Sequence, residues 1–138
     1  MIRTATANWQ GSLKEGKGTL STQSGILDKT HYSFKTRFEE GQKETNPEEL
    51  LAASHAGCFT MSVASIIDKK SLIPTSLETT ATLTLEGLSI TAIHLAITGL
   101  VKGLNANEFA AIVKEAEQNC IVSKALKVVI TSEAYFVD

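Results

Sequence analysis

Apolar and polar residues alternate along the first third of the chain and predict strands there. Over residues 5–9 every second residue is apolar, which is the period of a strand with one buried face. Residues 19–22 follow a stretch punctuated by glycines and predict a second strand. Over residues 31–38 aromatic residues alternate with polar and charged ones, so this segment predicts a third strand, with Arg37 near its end on the face opposite the aromatic residues.

Alternation returns after Pro74 and predicts a second group of strands. Mostly apolar residues alternate with threonine and glutamate over residues 77–85, and apolar residues recur at every second position over residues 93–97. Gly87 lies at the short connection between them, which is typical of a β-hairpin. A closing strand is expected over residues 128–136.

The residues between these two regions predict one long helix that begins at Asn46 and ends near Asp68. Asn46 suits the N-cap, Pro47 suits the first helical position, and two glutamates that follow complement the positive end of the helix dipole. The segment is apolar on most of its circumference, which favours burial in a protein core. Because serine, threonine and histidine interrupt the apolar run and charged residues flank it, we interpret it as a core helix and not as a membrane span.

A second helix is predicted over residues 105–119, where Phe109, Ile112, Val113 and Ala116 form one apolar stripe. The element order is therefore three strands, a helix, two strands, a helix and a strand. This order predicts an α+β fold with a mostly antiparallel sheet.

Composition narrows the classes of function without choosing one. The 138 residues carry a formal net charge of −2, so no basic surface is indicated for nucleic acid or for anionic lipid. The length suits a single domain, 1–138, with a sizeable core. The first residues lack the apolar core of a signal peptide, which predicts a cytoplasmic location.

The chain has only two cysteines, and both fall in predicted helices. Cys58 lies about three turns inside the first helix, and Cys120 lies at the end of the second. In a reducing compartment such a pair is more often catalytic, redox-sensing or metal-binding than structural. Three scattered histidines and the lack of a Cys-x-x-Cys pair disfavour a metal site. The pair therefore predicts redox chemistry.

Four segments resemble the OsmC/Ohr family and together span essentially the whole chain in the expected order. Residues 46–59, NPEELLAASHAGCF, are similar to the motif around the family's first cysteine, and residues 120–126, CIVSKAL, to the motif around its second. Residues 31–39, HYSFKTRFE, and residues 8–11, NWQG, resemble the OsmC branch in particular.

The resemblance implies an OsmC-like fold, in which mostly antiparallel sheets surround a long buried central helix that bears Cys58. It implies an intertwined homodimer with active sites at the subunit interface, and a thiol-dependent peroxidase that reduces organic hydroperoxides, and hydrogen peroxide more weakly, in oxidative and osmotic stress defence. Cys58 is then the peroxidatic thiol, Cys120 the resolving thiol, and Arg37 and Glu48 the family's arginine and glutamate. The resemblance implies no metal or bound cofactor. It implies an external dithiol reductant of the lipoylated type.

This chemistry needs a thiolate, because the thiolate and not the thiol attacks a peroxide. An apolar surrounding favours the uncharged thiol, and a guanidinium reverses that preference. Arg37 suits the task because it is always charged and offers a planar fork of donors, which Glu48 is expected to hold by a bidentate pair.

Other interpretations stay open beside the peroxidase. The family usually has proline after the second cysteine, and this chain has Ile121, which affects the geometry and rate of disulfide formation. A slow second step would favour a thiol-based redox sensor or a small-molecule binding protein that uses the same pocket. Both cysteines could also be inert core residues. His55 shares a helix face with Cys58 but has no signature of a Cys-His dyad, so we interpret it as a structural or supporting residue.

Overall fold

The computed structural model describes residues 1–138, and its backbone divides into two compact units, Met1–Leu50 and Leu51–Asp138. We call them the N-terminal unit and the C-terminal unit. The single-domain organisation expected from the length stays a prediction.

The N-terminal unit contains an antiparallel sheet of three strands in the order β1–β2–β3. The strands are β1 (Ala5–Gln10), β2 (Lys17–Thr22) and β3 (Thr30–Tyr32). Gly18 lies opposite Tyr32 in this sheet, and a side chain at that position would overlap the Trp9 and Tyr32 rings. Two of the three strands predicted here are confirmed, and the third ends early.

The third predicted strand is wrong beyond Tyr32, because the chain forms the short helix α1 (Phe34–Phe38). Ser33 caps it: the Ser33 side chain accepts from the Thr36 backbone N–H, and the Thr36 hydroxyl accepts from the Ser33 backbone N–H. The Phe34 and Phe38 rings, four residues apart, lie 4.8 Å from each other on one helix face. Arg37 therefore lies on a helix and not on a strand.

The long helix α2 (Pro47–Lys69) has the predicted bounds. The Asn46 side chain accepts the Glu49 backbone N–H at 2.7 Å, as expected for an N-cap. By length and composition the helix could cross a membrane, a test that core helices of soluble proteins also pass. Only 28% of its most apolar stretch is buried, because one face, with Phe59, enters the core while the other, with Met61, is exposed. Burial of the second face stays a prediction.

The C-terminal unit contains the second sheet, of three strands in the order β4–β5–β6. The strands are β4 (Pro74–Glu86), β5 (Ser89–Val101) and β6 (Val129–Val137). The predicted hairpin is confirmed: β4 and β5 are antiparallel and turn at Gly87, whose φ of +60° is one that glycine adopts without strain. The β5–β6 pair is parallel, so the prediction of mostly antiparallel sheets holds with this exception.

Two helices make the crossover that a parallel pair requires. The predicted helix is α3 (Ala106–Asn119), capped by Asn105 and Glu108, and the shorter α4 (Ile121–Ala125) was not predicted. The apolar stripe of α3 is buried as expected. The core cluster consists of buried side chains from α2, β5 and α3, together with the residue that caps the C-terminal end of α3. Its members are Phe59, Val63, Ile66, Ile67, Ile93, Leu95, Ile97, Val101, Phe109, Ile112, Val113, Ala116 and Cys120.

Candidate active site

The two thiols of the chain meet in the C-terminal unit. Cys58 lies half-buried on α2, and Cys120 is buried at the junction where α3 ends and α4 begins. Both are free thiols, and Cys58 packs against the buried core cluster that includes Cys120. Long-range folding therefore places side by side the two cysteines that lie far apart in sequence.

A cavity of about 710 Å³ opens beside this pair. Most of its lining comes from α2, and the rest from the junction of α3 with α4. The lining residues are Cys58, Met61, Ser62, Ser65, Ile66, Lys69, Glu115, Asn119, Cys120 and Ile121. Because methionine and isoleucine side chains stand beside the thiols, an apolar molecule could reach them here.

The surroundings of Cys120 favour its thiolate. Burial alone raises the pKa of the Cys120 thiol, but the nearby donors of the Ser123 backbone and hydroxyl, the Cys58 thiol and the Val122 backbone outweigh it, so the pKa lies below its ordinary value. The two backbone amides belong to the first turn of α4. Neither of them makes a capping hydrogen bond to the Cys120 side chain, so they favour the thiolate through their proximity.

Behind Cys120 lies a second polar pair. The His55 Nε2 atom and the Ser123 Oγ atom are 2.7 Å apart, and both residues are buried. Burial lowers the pKa of His55, which keeps the imidazole neutral. The His55 Nδ1 atom is buried and has no partner among the protein atoms. The sequence interpretation of His55 as a supporting residue agrees with this position.

Ser123 was missed from the sequence. The available clue was its spacing, since it follows Cys120 by three residues and so shares a helix face with it if both lie at one helix start. Because the sequence pattern does not predict α4, this spacing alone does not place Ser123 beside Cys120.

The other two predicted site residues meet in the N-terminal unit. The Arg37 Nε atom donates to the Glu48 Oε1 atom at 2.8 Å, which confirms the predicted pairing. The expected bidentate geometry is wrong, because the Glu48 Oε2 atom is buried without a partner. The Arg37 guanidinium also lies over the Phe38 ring, 5.7 Å from its centroid, and 49% of the Arg37 side chain is exposed. Its terminal nitrogens therefore remain available as donors.

Ile121, where the resembled family usually has proline, is the first residue of α4 and is exposed. Proline is well tolerated at a first helical position, so isoleucine keeps the same helix start without the ring's restraint. No group of three or more histidine, cysteine, aspartate or glutamate side chains is placed to hold a metal ion.

Comparison with known proteins gives one consistent family. The model of the OsmC-like protein family matches residues 40–133. The chain is 45% identical over 129 residues to peroxiredoxin OsmC of Escherichia coli, covering 91% of this chain and 90% of that one. It is 35% identical over 125 residues to the organic hydroperoxide resistance protein OhrA of Bacillus subtilis, covering 88% and 86%.

Solved structures show the same fold at low sequence identity. An OsmC-like protein of unknown function from Vibrio cholerae aligns with a TM-score of 0.76 at 16% identity, covering 97% of this chain and 99% of that one. An OsmC-like protein from Mycoplasma pneumoniae aligns with a TM-score of 0.76 at 14% identity, covering 100% and 99%. The mixed α+β architecture with two small sheets is thus shared with these proteins.

Proposed function

The chain belongs to the OsmC-like family, and from this premise we propose that it is a thiol-dependent peroxidase that reduces organic hydroperoxides to alcohols in oxidative and osmotic stress defence. Relatives named as a peroxiredoxin and as an organic hydroperoxide resistance protein support a peroxidase role. The observation that carries the proposal is the pair of free thiols, Cys58 and Cys120, that line one cavity.

In the first step the Cys58 thiolate attacks the distal peroxide oxygen. The S–O bond forms as the O–O bond breaks, Cys58 becomes a sulfenic acid, and the alkoxide takes a proton and leaves as the alcohol. Cys58 suits this role because it is the more accessible of the two thiols. The proposed preference for organic hydroperoxides over hydrogen peroxide is supported by Met61 and Ile66 in the cavity lining.

In the second step the Cys120 thiolate attacks the Cys58 sulfur. The S–S bond forms, the S–O bond breaks, and the hydroxide leaves with a proton as water. The lowered pKa of Cys120 supports this role, because more of the attacking sulfur is in the thiolate form. An external dithiol, proposed to be of the lipoyl type, then reduces the disulfide and is itself oxidised. No resident cofactor takes part.

Arg37 and Glu48 are proposed to stabilise the Cys58 thiolate and to orient the peroxide. The support is that Glu48 fixes one edge of the guanidinium through Nε and leaves the terminal nitrogens free to donate. We propose that Arg37 does this for Cys58 of its own chain or of a partner chain.

We further propose that the protein is an intertwined cytoplasmic homodimer with active sites at the interface, each chain forming one domain. The exposed side of α2, which includes Met61, is the surface that a partner would cover to make α2 a buried central helix. Sedimentation at micromolar concentration tests this assembly, and a stable monomer would contradict it.

Consumption of cumene hydroperoxide with dihydrolipoamide tests the proposed activity. We expect many turnovers with the native protein, none with Cys58→Ser, and strongly reduced turnover with Cys120→Ser. Arg37→Lys is expected to lower kcat/KM by about tenfold or more, since lysine keeps the charge but loses the planar fork. Its matched control is Lys35→Met, an exposed cation on the same short helix, which should leave the rate unchanged.

One outcome would favour the alternative function. If Cys58 reacts once with peroxide but does not turn over with any dithiol, the chain is better described as a thiol-based redox sensor or a small-molecule binding protein. If neither thiol reacts in the native protein, both redox functions are wrong.

A further inference from the structure

The strongest unused feature of the C-terminal unit is the buried pair of His55 and Ser123, of which Ser123 lies in the first turn of α4 after Cys120. His55 is fully buried, Ser123 is 8% exposed and Cys120 is 1% exposed. His55 comes from α2 and Ser123 from α4, and their side chains meet 68 residues apart in sequence. Because a buried polar group without a partner is costly, such a meeting inside a core needs an explanation.

We propose that Ser123 and His55 are positioning residues for Cys120: the imidazole of His55 orients the Ser123 hydroxyl so that it donates to the Cys120 sulfur and favours the thiolate that closes the disulfide. The inference rests on the proposed function in one respect, namely that the Cys120 thiolate serves to close the disulfide. The hydrogen-bond arrangement itself is independent of it.

The direction of the hydrogen bonds follows from the buried ring. A neutral imidazole carries its proton on one nitrogen, and the other nitrogen can only accept. If the proton is on Nε2, His55 donates to Ser123 and the hydroxyl proton is free to point at Cys120. The Nδ1 atom is then an acceptor without a partner.

The opposite tautomer reverses the arrangement. With the proton on Nδ1, the chain would bury an N–H group without a partner, which is rarer in proteins than an under-satisfied acceptor. The Ser123 hydroxyl would then donate to His55, 2.7 Å away, and turn its proton from Cys120. The geometry thus favours the tautomer that serves the thiolate.

Few charged side chains lie near Cys120, so an effect of the Ser123 hydroxyl on the ionisation of Cys120 can be identified. The ionisable side chains that line the cavity beside Cys120 are Lys69 on α2 and Glu115 on α3, and Lys124 follows Ser123 on α4. The buried residues that β5 contributes to the core are apolar. None of these charges is removed by the substitutions below.

The first test measures the ionisation of Cys120 alone. Cys58→Ser leaves one cysteine in the chain, so the ultraviolet absorbance of the thiolate, corrected for tyrosine, reports Cys120 as pH is raised. In this background Ser123→Ala should move the midpoint upward by about one pH unit. Ser123→Thr, which keeps a hydroxyl, should move it less.

The matched control is Ser62→Ala, which removes a hydroxyl from the lining of the same cavity. The Ser62 hydroxyl makes only a 3.5 Å contact to the Ala116 carbonyl, so the midpoint should not move. At His55, glutamine keeps a donor near the Nε2 position and should preserve the midpoint, while leucine should raise it. Equal midpoints for all folded variants would overturn the proposal.

The second test needs no substitution, so it holds even if a variant fails to fold. Nitrogen-15 NMR distinguishes the two neutral tautomers of a histidine ring, and the chain has only three histidines. His55 should be neutral with its proton on Nε2. A proton on Nδ1 would overturn the proposal outright.

Failure of this inference and failure of the proposed function can be told apart. If the midpoint shifts and the tautomer agree with expectation but no hydroperoxide is reduced, the positioning role stands and the peroxidase is wrong. If turnover depends on Cys58 but Cys120 ionises identically without the Ser123 hydroxyl, the peroxidase stands and the positioning role is wrong.

Discussion

The two units of the chain differ in how many apolar side chains they bury. Every apolar member of the core cluster belongs to the C-terminal unit, while the N-terminal unit buries no large apolar side chain and exposes Ile2, Leu13, Ile26 and Phe38. A segment of about this size without an apolar core is not expected to be stable by itself. The thiols therefore lie in the unit that has its own apolar core, whereas the N-terminal unit has no such core to stabilise it.

The predicted site residues follow the same division. Arg37 and Glu48 form a charged pair near solvent, with 49% of the Arg37 side chain exposed. Ser123 and His55 form a neutral hydrogen-bonded pair inside the core, where Cys120 is also buried. A full charge tolerates solvent, whereas weak neutral donors act strongly only where water is excluded. In the roles proposed above, the two sets would therefore favour an anionic sulfur by different physical routes.

The largest expected contrast is between two phenylalanines. Phe59→Ala in the C-terminal core should lower the free energy of unfolding by about 3–5 kcal/mol, because Phe59 is fully buried. Phe38→Ala in the N-terminal unit should cost about 1 kcal/mol or less, since the ring is 41% exposed and loses mainly its contact with Phe34. Urea midpoints at constant m-value measure both. An equal loss in the free energy of unfolding for both variants would contradict this difference between the units and show that the assembled protein buries Phe38.

Two glycines of the C-terminal unit, one in the core and one exposed, should differ in the same way with smaller effects on stability. A Cβ at Gly99 would overlap the Phe109 ring, so Gly99→Ala should destabilise by about 1–3 kcal/mol. Gly57 lies on the exposed side of α2 with no atom near its Cβ position, so Gly57→Ala should stabilise by about 0.5–1 kcal/mol through helix propensity. Thermal unfolding measures both. A destabilising Gly57→Ala that also weakens self-association would instead place Gly57 in an interface.

The smallest expected effect is a pH dependence that arises from His55. Because burial lowers the pKa of His55, the unfolded chain takes up a proton below about pH 6.5 that the folded chain resists. Stability from this group is therefore complete above that pH and falls as the pH drops below it, by at most about 1.4 kcal/mol per pH unit. Comparing urea midpoints between neutral and mildly acidic pH tests this.

His55→Asn is the control for that pH series. The variant is less stable throughout but should show a flatter decline on acidification, since it has lost the group that titrates. An identical slope in both proteins would mean that His55 does not contribute to the acid sensitivity.

The third predicted strand is wrong beyond Tyr32, and the spacing of its aromatic residues explains why. Phe34 and Phe38 fit a two-residue period and also a spacing of four, so over this short stretch alternation could not separate strand from helix. The capping interaction between Ser33 and Thr36 decided for the helix. The cap of α2 can be predicted from the sequence because Asn46 and Pro47 precede a long apolar run, where no competing period exists.

Local spacing and motifs that resemble one family were enough to predict the long helix, the hairpin, the apolar stripe of α3, the two thiols and the pairing of Arg37 with Glu48. Three features follow only from the folded chain: β6 pairs in parallel with β5, Cys58 and Cys120 line one cavity, and His55 reaches Ser123. These contacts join residues far apart in the chain, and they form because a shared apolar core brings α2, α3 and the sheet together. No periodicity along the sequence encodes which polar atoms that core will enclose.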